Sequence, residues 1–116
     1  MKSIQRLTPI VVLAKNYIDQ NYFEQSISLQ QVANHLQVSP TYLSKQLKNE
    51  IGVSFVHYLT NVRMEKAVKL ITDPYLKIYE VAEMVGYSTQ HYFSNVFKKM
   101  VGISPIEYRN GIKMNE

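Results

Sequence analysis

Residues 78–109 read IYEVAEMVGYSTQHYFSNVFKKMVGISPIEYR, and this stretch decides the fold. Apolar residues recur at helical spacing over its first eight positions, and Gly86 then interrupts the pattern where the chain needs a tight turn. A second helical pattern ends at Gly102, and Ser104 with Pro105 signals the start of a last helix. The stretch therefore predicts a helix-turn-helix unit followed by one further helix.

The same pattern occurs once before, 49 to 50 residues upstream. At an offset of 49 the matched pairs are Leu29 with Ile78, Val32 with Val81, Ala33 with Ala82 and Leu36 with Val85. At an offset of 50 they are Leu43 with Phe93, Ser44 with Ser94, Leu47 with Phe97, Lys48 with Lys98, Gly52 with Gly102, Ser54 with Ser104 and Tyr58 with Tyr108. Helical periodicity alone does not reproduce the polar matches, so we interpret them as an internal repeat.

Capping signals place the predicted helix boundaries. The predicted N-caps are Ser28, Ser39 before Pro40, Ser88 and Ser104, and the predicted ends of the two longer helices are Gly52 and Gly102. An amphipathic helix precedes the repeats and ends near Asn21; its apolar face is marked by Ile10, Ala14, Tyr17 and Ile18.

These signals predict an all-α chain of about seven helices, with two helix-turn-helix subunits joined by a long connecting helix. One domain is expected over residues 1–116. Its predicted parts are the first helix-turn-helix at about 28–52, the connecting helix at about 54–72, the second helix-turn-helix at about 77–102 and the last helix at about 104–110. At 1.5 Å per residue the connecting helix would span about 27 Å, which could set the two units about one turn of B-DNA apart.

The two longer helices carry polar sides that suit DNA. Their predicted inner stripes are Leu43, Leu47 and Ile51, and Phe93, Val96, Phe97, Met100 and Val101. Their outer sides carry Thr41, Ser44, Lys45 and Lys48, and Gln90, His91, Ser94, Asn95 and Lys98. No acidic residue occurs within residues 25–49 or 84–106. Short polar side chains near a helix start can read base edges, and two matched copies favour this interpretation over ordinary solvated faces.

Composition excludes several other classes of protein. With 46% hydrophobic and 19% charged residues, the 116-residue chain has the make-up of a folded domain. It has no cysteine, which excludes disulfide scaffolds and thiolate metal sites. No apolar run could cross a bilayer and no secretory signal is present, so a cytoplasmic location is expected. We expect no cofactor and no metal, because the histidines lack companion ligands at metal-binding spacing.

Other function classes fit the sequence less well. An enzyme is not predicted, because no nucleophile elbow, phosphate-binding glycine loop or paired catalytic carboxylates occur. RNA binding lacks aromatic platforms for splayed bases. A helical protein-interaction module would share the fold, and only the acid-free polar faces argue against it.

From about Ile10 to Arg109 the chain resembles the DNA-binding domain of the AraC/XylS family of transcription regulators. The signature residues that carry the resemblance are Gly86, Tyr87, Tyr92, Phe93, Ser94, Phe97, Lys98, Lys99, Gly102, Ser104, Pro105, Tyr108 and Arg109. Further matches in the connecting helix are Ser54, Phe55, Tyr58, Leu59, Arg63, Ala67, Leu70 and Ile71.

The resemblance implies sequence-specific binding of double-stranded DNA by the third and sixth helices, as an activator or repressor. Its base-contacting candidates are Thr41, Ser44, Lys45, Gln90, His91 and Asn95. The phosphate-contacting candidates are Ser39, Lys48, Ser54, Ser88, Lys98, Lys99 and Ser104. For Arg63 and Arg109, a phosphate contact and an intramolecular ion pair are both open. The chain is expected to be the monomeric output domain of a longer regulator that could dimerise through another domain, with RNA polymerase as a further candidate partner.

Overall fold

The computed structural model describes residues 6–114, and side chains as far as Gly111. In chain order its helices are α1 (Pro9–Asn21), α2 (Leu29–Leu36), α3 (Pro40–Ile51), α4 (Phe55–Leu70), α5 (Ile78–Met84), α6 (Gln90–Val101) and α7 (Pro105–Met114). No strand occurs among these residues. The predicted all-α class is therefore confirmed. The last helix extends beyond the expected residue 110.

The helices form two compact units, which are described separately. Within the described residues, the first unit comprises 6–21 and 26–59, and the second comprises 22–25 and 60–114. The division falls inside α4, which is continuous for 16 residues, or about 24 Å.

The first unit packs α1, α2 and α3 against one another. Its buried apolar side chains include Val11, Ala14, Ile18, Ile27, Val32, Ala33, Leu43, Leu47, Phe55 and Leu59. On α1 the prediction placed Ile10 in the apolar face, but Ile10 is only half-buried and Val11 is fully buried. The buried row on this helix therefore runs through positions 11, 14 and 18, which lie three and four residues apart.

The second unit has a separate core of α4, α5 and α6 residues. Its buried members are Met64, Ala67, Ile71, Ile78, Val81, Ala82, Val85, Tyr87, Phe93 and Phe97. The rings of Phe93 and Phe97 lie 5.7 Å apart, and Tyr108 of α7 packs edge-on against Phe97. Met100 was predicted to face inward, but it is 40% exposed. The buried row on α6 runs in steps of four from Phe93, which leaves position 100 on its flank.

Side-chain caps precede α2, α3 and α6, with one correction to the predicted residues. Ser28 accepts a hydrogen bond from Gln31 N–H, and Ser39 accepts one from Tyr42 N–H, as predicted. The prediction of Ser88 as the cap of α6 was wrong, because Thr89 accepts the bond from Tyr92 N–H. Only the residue directly before a helix can turn its hydroxyl onto the third amide of the first turn, and α6 begins at Gln90.

The tight turns of the two units place different residues at the position that has a positive φ. Gly86 has a φ of +98° in the second unit, while Gln37 has a φ of +60° in the first and accepts the left-handed geometry without being glycine. Gln37 N–H donates to the Ala33 and Asn34 carbonyls at the end of α2. The conformation therefore completes the hydrogen bonding of that helix end, at a steric cost to Gln37.

Replacing Gln37 with Gly should raise the free energy of unfolding by about 0.5–1 kcal/mol, because relief of the strain exceeds the added freedom of the unfolded chain. The midpoint of urea denaturation, followed by circular dichroism, measures the change. The matched control is Gln30→Gly inside α2, which should instead lower stability by about as much. A lowered midpoint for Gln37→Gly would show that the turn is not strained.

Arg63 is buried and so not available for phosphate, and its guanidinium has no carboxylate partner among the described side chains of residues 6–111, so neither expected role is found. It is 8% exposed, and its Nε and Nη2 donate to the carbonyls of Tyr22 and Glu24, each at 2.8 Å. Its guanidinium carbon also lies 5.2 Å from the centre of the Tyr87 ring. Burial lowers the pKa of Arg63 and raises the pKa of the Tyr87 hydroxyl, and each group partly offsets the shift of the other. Arg63 thus holds the 22–25 segment to the turn of the second unit.

Arg109 has a similar structural role, which corrects its two expected roles in the same way. Its Nε donates to the carbonyl of Ile71 at 2.8 Å, and its Nη2 donates to those of Asp73 and Leu76 at 3.2 and 2.7 Å. These carbonyls lie in the connection between α4 and α5, where the Asp73 carbonyl also accepts from Leu76 N–H. Arg109 of α7 therefore ties this connection to the last helix.

Candidate nucleic-acid interface

In the first unit, α3 is the helix that presents polar side chains. Leu43 and Leu47 have no exposed surface, which fixes the rotation of the helix about its axis. Thr41, Lys45 and Lys48 are consequently exposed, and Ser44 is half-buried at the edge of the same face. This face lies in a surface groove. The residues that line the groove are Leu29, Pro40, Thr41, Ser44, Lys45, Lys48 and Asn49. The structure therefore brings the four predicted residues of α3 together.

In the second unit, α6 presents the corresponding face. Phe93 and Phe97 are fully buried and set its rotation, and Tyr92 packs edge-on against Tyr87 with 5.4 Å between ring centres. The predicted residues Gln90, His91, Asn95, Lys98 and Lys99 are all exposed, and Ser94 is half-buried. Asn95 Nδ2 lies 3.4 Å from His91 Nε2, so two of the predicted residues contact each other.

Ser54 and Ser104 are matched in the repeat but differ in their surroundings. Ser54 caps α4 by accepting a bond from His57 N–H. Ser104 accepts the corresponding bond from Glu107 N–H, but its own N–H donates to Glu107 Oε1 at 3.1 Å. Hydrogen bonds from the Ser104 backbone N–H and from the Ser104 side chain to the Glu107 carboxyl lower the pKa of that carboxyl.

This arrangement disfavours the predicted phosphate contact of Ser104, which stays a prediction. The amide is occupied, and the Glu107 carboxylate adds a negative charge beside it that repels an anion. The signal was present in the sequence, since a serine followed three residues later by glutamate is a capping box. At the matched position the first unit has His57, which carries no carboxylate.

Two exposed aromatic residues beside these faces were missed by sequence reasoning. Tyr42 on α3 is 45% exposed and Tyr92 on α6 is 58% exposed. They occupy the third position of their helices and are related by the repeat offset of 50, which was the signal that could have identified them. Both rings border the exposed N-terminal turns.

Neither a metal-binding cluster nor a membrane-spanning helix is found in the part of the chain that the structure describes. Over residues 6–114 there is no group of three or more His, Cys, Asp or Glu side chains placed to hold a metal ion. Within the same range no helix combines the length and apolar character needed to span a bilayer.

Comparisons with known proteins agree on one kind of domain. The family model described as a helix-turn-helix domain matches residues 32–111. The arabinose operon regulatory protein of Escherichia coli K12 is 34% identical over 98 residues, which cover 84% of this chain and 34% of that protein. The uncharacterized transcriptional regulator YfiF of Bacillus subtilis is likewise matched over 33% of its length. The chain thus spans about a third of the length of these curated relatives.

A solved structure shares both fold and sequence. The C-terminal domain of AraT, a response regulator from Geobacillus stearothermophilus, is 50% identical with a TM-score of 0.90, and the match covers 92% of this chain and 88% of that domain.

Proposed function

The chain belongs to the AraC-type family of helix-turn-helix DNA-binding domains of transcription regulators, and we propose that it reads two successive major-groove segments, one with each recognition helix. The observation that carries the proposal is the pair of matched helices, α3 and α6, whose apolar sides are buried and whose polar first turns are exposed. A helix presented in this way fits the major groove, where base edges are distinguishable.

We assign base reading in the first unit to Thr41, Ser44 and Lys45. The Lys45 ammonium suits the O6 and N7 acceptors of guanine, while the methyl group of Thr41 suits the methyl group of thymine. The Ser44 hydroxyl can donate or accept. Since α3 has no arginine, the bidentate reading of guanine by a guanidinium is absent from this helix.

In the second unit the proposed readers are Gln90 and Asn95, with His91 beside them on the same exposed face. Carboxamides such as those of Gln90 and Asn95 match the N6 donor and N7 acceptor of adenine. The two half-motifs should therefore differ in base preference, although the units are repeats.

Contacts to phosphate are proposed for Lys48, Lys98 and Lys99, whose ammonium groups lie one or two turns beyond the readers. Ser39, Ser54 and Ser88 are exposed at or near helix starts, where an anion is favoured.

We further propose that the chain is the output domain of a longer regulator. It matches the C-terminal domain of a response regulator, and it spans only about a third of the length of its curated relatives. As part of this proposal, the domain contacts DNA as a monomer, has no catalytic role and acts in the cytoplasm, where bacterial DNA lies. RNA polymerase is the partner that activation would require, with any dimer contact made by another part of the full protein.

Selection from a random pool of DNA duplexes tests the function. The expected result is an enriched site of two half-motifs with centres about 10 to 11 base pairs apart. Enrichment of one half-motif would contradict reading by both helices. A pool without enrichment would instead favour a protein-interaction module.

Replacing Asn95 or Gln90 with Ala should weaken binding to the selected duplex by about 1 to 3 kcal/mol and relax the preference at a position of the second half-motif only, because each carboxamide would lose its base partner. Dissociation constants for duplexes with single base-pair changes provide the measurement. The control is Asn110→Ala, which removes an exposed carboxamide from α7. Unchanged selectivity in either variant would remove that residue from the interface.

Replacing Lys48 or Lys98 with Ala should weaken binding to all duplexes alike, because neutralisation of a phosphate does not depend on the base. Each substitution should also reduce the slope of log K against log salt concentration by about one. Fluorescence anisotropy titrations at several salt concentrations measure this slope. Lys69→Ala, which removes an exposed cation from the end of α4, is the control. A slope equal to that of the control would contradict the phosphate contact.

A further inference from the structure

His91 and Asn95 lie one turn apart on the exposed side of α6 and contact each other. The distance between Asn95 Nδ2 and His91 Nε2 is 3.4 Å. The amide nitrogen can only donate, so in this orientation Nε2 accepts when the neutral imidazole carries its proton on Nδ1. The other tautomer, with the proton on Nε2, would instead suit an amide turned so that Oδ1 faces the ring.

This hydrogen bond leaves the base-reading edge of Asn95 complete. A carboxamide reads adenine by accepting from N6 with its oxygen and donating to N7 with one N–H. Nδ2 carries two hydrogens, so the one given to His91 leaves the other beside Oδ1. A half-turn of the amide would exchange donor and acceptor, and a hydrogen bond to His91 would then require the other tautomer. An imidazole with its proton on Nδ1 therefore opposes the orientation that cannot read adenine.

We propose that His91 is a positioning residue that holds the Asn95 carboxamide in its adenine-reading orientation, so that the pair sets the base preference at one position of the second half-motif. This inference rests on the proposed function, because it requires that α6 faces base edges. It gives His91 a role that acts through Asn95 and not through a direct bond from Nε2 to a base.

The first unit cannot contain an equivalent pair. At the repeat offset of 50, His91 corresponds to Thr41 and Asn95 to Lys45, so neither position carries a carboxamide. An adenine preference set by an oriented amide is therefore expected in one half-motif only.

The test begins with the duplex selected by the unaltered chain. Asn95→Ala identifies the base pair at which preference is lost. Dissociation constants are then measured for His91→Leu, His91→Gln and the double variant His91→Leu/Asn95→Ala on duplexes with each of the four base pairs at that position. His35→Leu, which removes an exposed imidazole from α2, is the matched control. Thermal denaturation of each variant confirms that it is folded.

The expected result is that His91→Leu lowers the discrimination for adenine about tenfold. A change of this size is within the discrimination that one bidentate base contact provides. His91→Gln should keep most of it, because its side-chain oxygen can accept the Asn95 hydrogen. In the Asn95→Ala background, His91→Leu should cause no additional loss of discrimination.

Three outcomes would overturn the inference. Discrimination unchanged in His91→Leu would show that Asn95 needs no orienting group. An equal loss with and without Asn95 would show that His91 reads a base itself, in which case the proposed function stands and only the positioning role fails. Unchanged preference in Asn95→Ala, or a pool without enrichment, would remove the base-reading role of α6 and the inference with it.

A measurement on the free domain separates the contact from DNA binding. In the proton–nitrogen NMR spectrum of side-chain amides, one Nδ2 proton of Asn95 should resonate downfield of its counterpart in Asn110, and this difference should disappear in His91→Leu. Equal shifts before and after the substitution would show that the contact does not orient the amide.

Discussion

The Gly86→Ala variant is expected to lose about 2–5 kcal/mol of its free energy of unfolding, measured by urea denaturation followed at 222 nm. Two effects add at this position. A φ of +98° costs any residue with a Cβ atom about 1–2 kcal/mol. A Cβ would also lie 2.8 Å from the Tyr22 carbonyl oxygen and 2.8 Å from Arg63 Nη2, so packed groups would have to move at a cost of about 1–3 kcal/mol.

Gly102 provides a control that isolates the second effect. Its φ is +103°, but no atom lies within 4 Å of a Cβ built on it. Gly102→Ala should therefore cost only the backbone strain, about 1–2 kcal/mol. Equal losses for the two variants would show that the close approach of Tyr22 and Arg63 to Gly86 has no energetic consequence.

Replacing Arg63 with Met is expected to lower the free energy of unfolding by about 3 kcal/mol. Methionine retains much of the packing but donates no hydrogen bond, so the carbonyls of Tyr22 and Glu24 lose the hydrogen bonds that Arg63 gives them in a partly buried site. Arg63→Lys should recover less than half of the loss, because one ammonium cannot reproduce the fork geometry of the guanidinium.

The control for Arg63 is a cation on the same helix. Lys66 is exposed and lies over the Tyr22 ring at 5.9 Å, so Lys66→Met should change stability by less than about 1 kcal/mol. Near-equal stability of Arg63→Met and Lys66→Met would refute the structural role of the buried guanidinium.

Repeat and periodicity were sufficient to predict the helices and the exposed faces of α3 and α6. The buried pairs Leu43 with Leu47 and Phe93 with Phe97 lie four residues apart, a local spacing that follows from helix geometry. The capping box at Ser104 was equally local and could have been recognised. Thr89 could have been identified by its offset of 50 from Ser39.

The roles of the two arginines were not predictable in this way. Arg63 reaches the carbonyls of Tyr22 and Glu24, 41 and 39 residues away, and Arg109 reaches that of Ile71, 38 residues away. Every residue offers a backbone carbonyl, so an arginine in the sequence does not specify which acceptor it will find. The contact between His91 and Asn95 was accessible as a spacing of four, but the 3.4 Å approach of Nδ2 to Nε2 required coordinates.

The all-α class, the duplication, the capping box at Ser104 and the polar side of each recognition helix follow from sequence alone, because they depend on the order of residues within a few turns. The structural roles of Arg63 and Arg109 follow from tertiary contacts alone. Burial and the competition among hydrogen-bond partners make those choices, and both depend on atoms that the folded chain brings together.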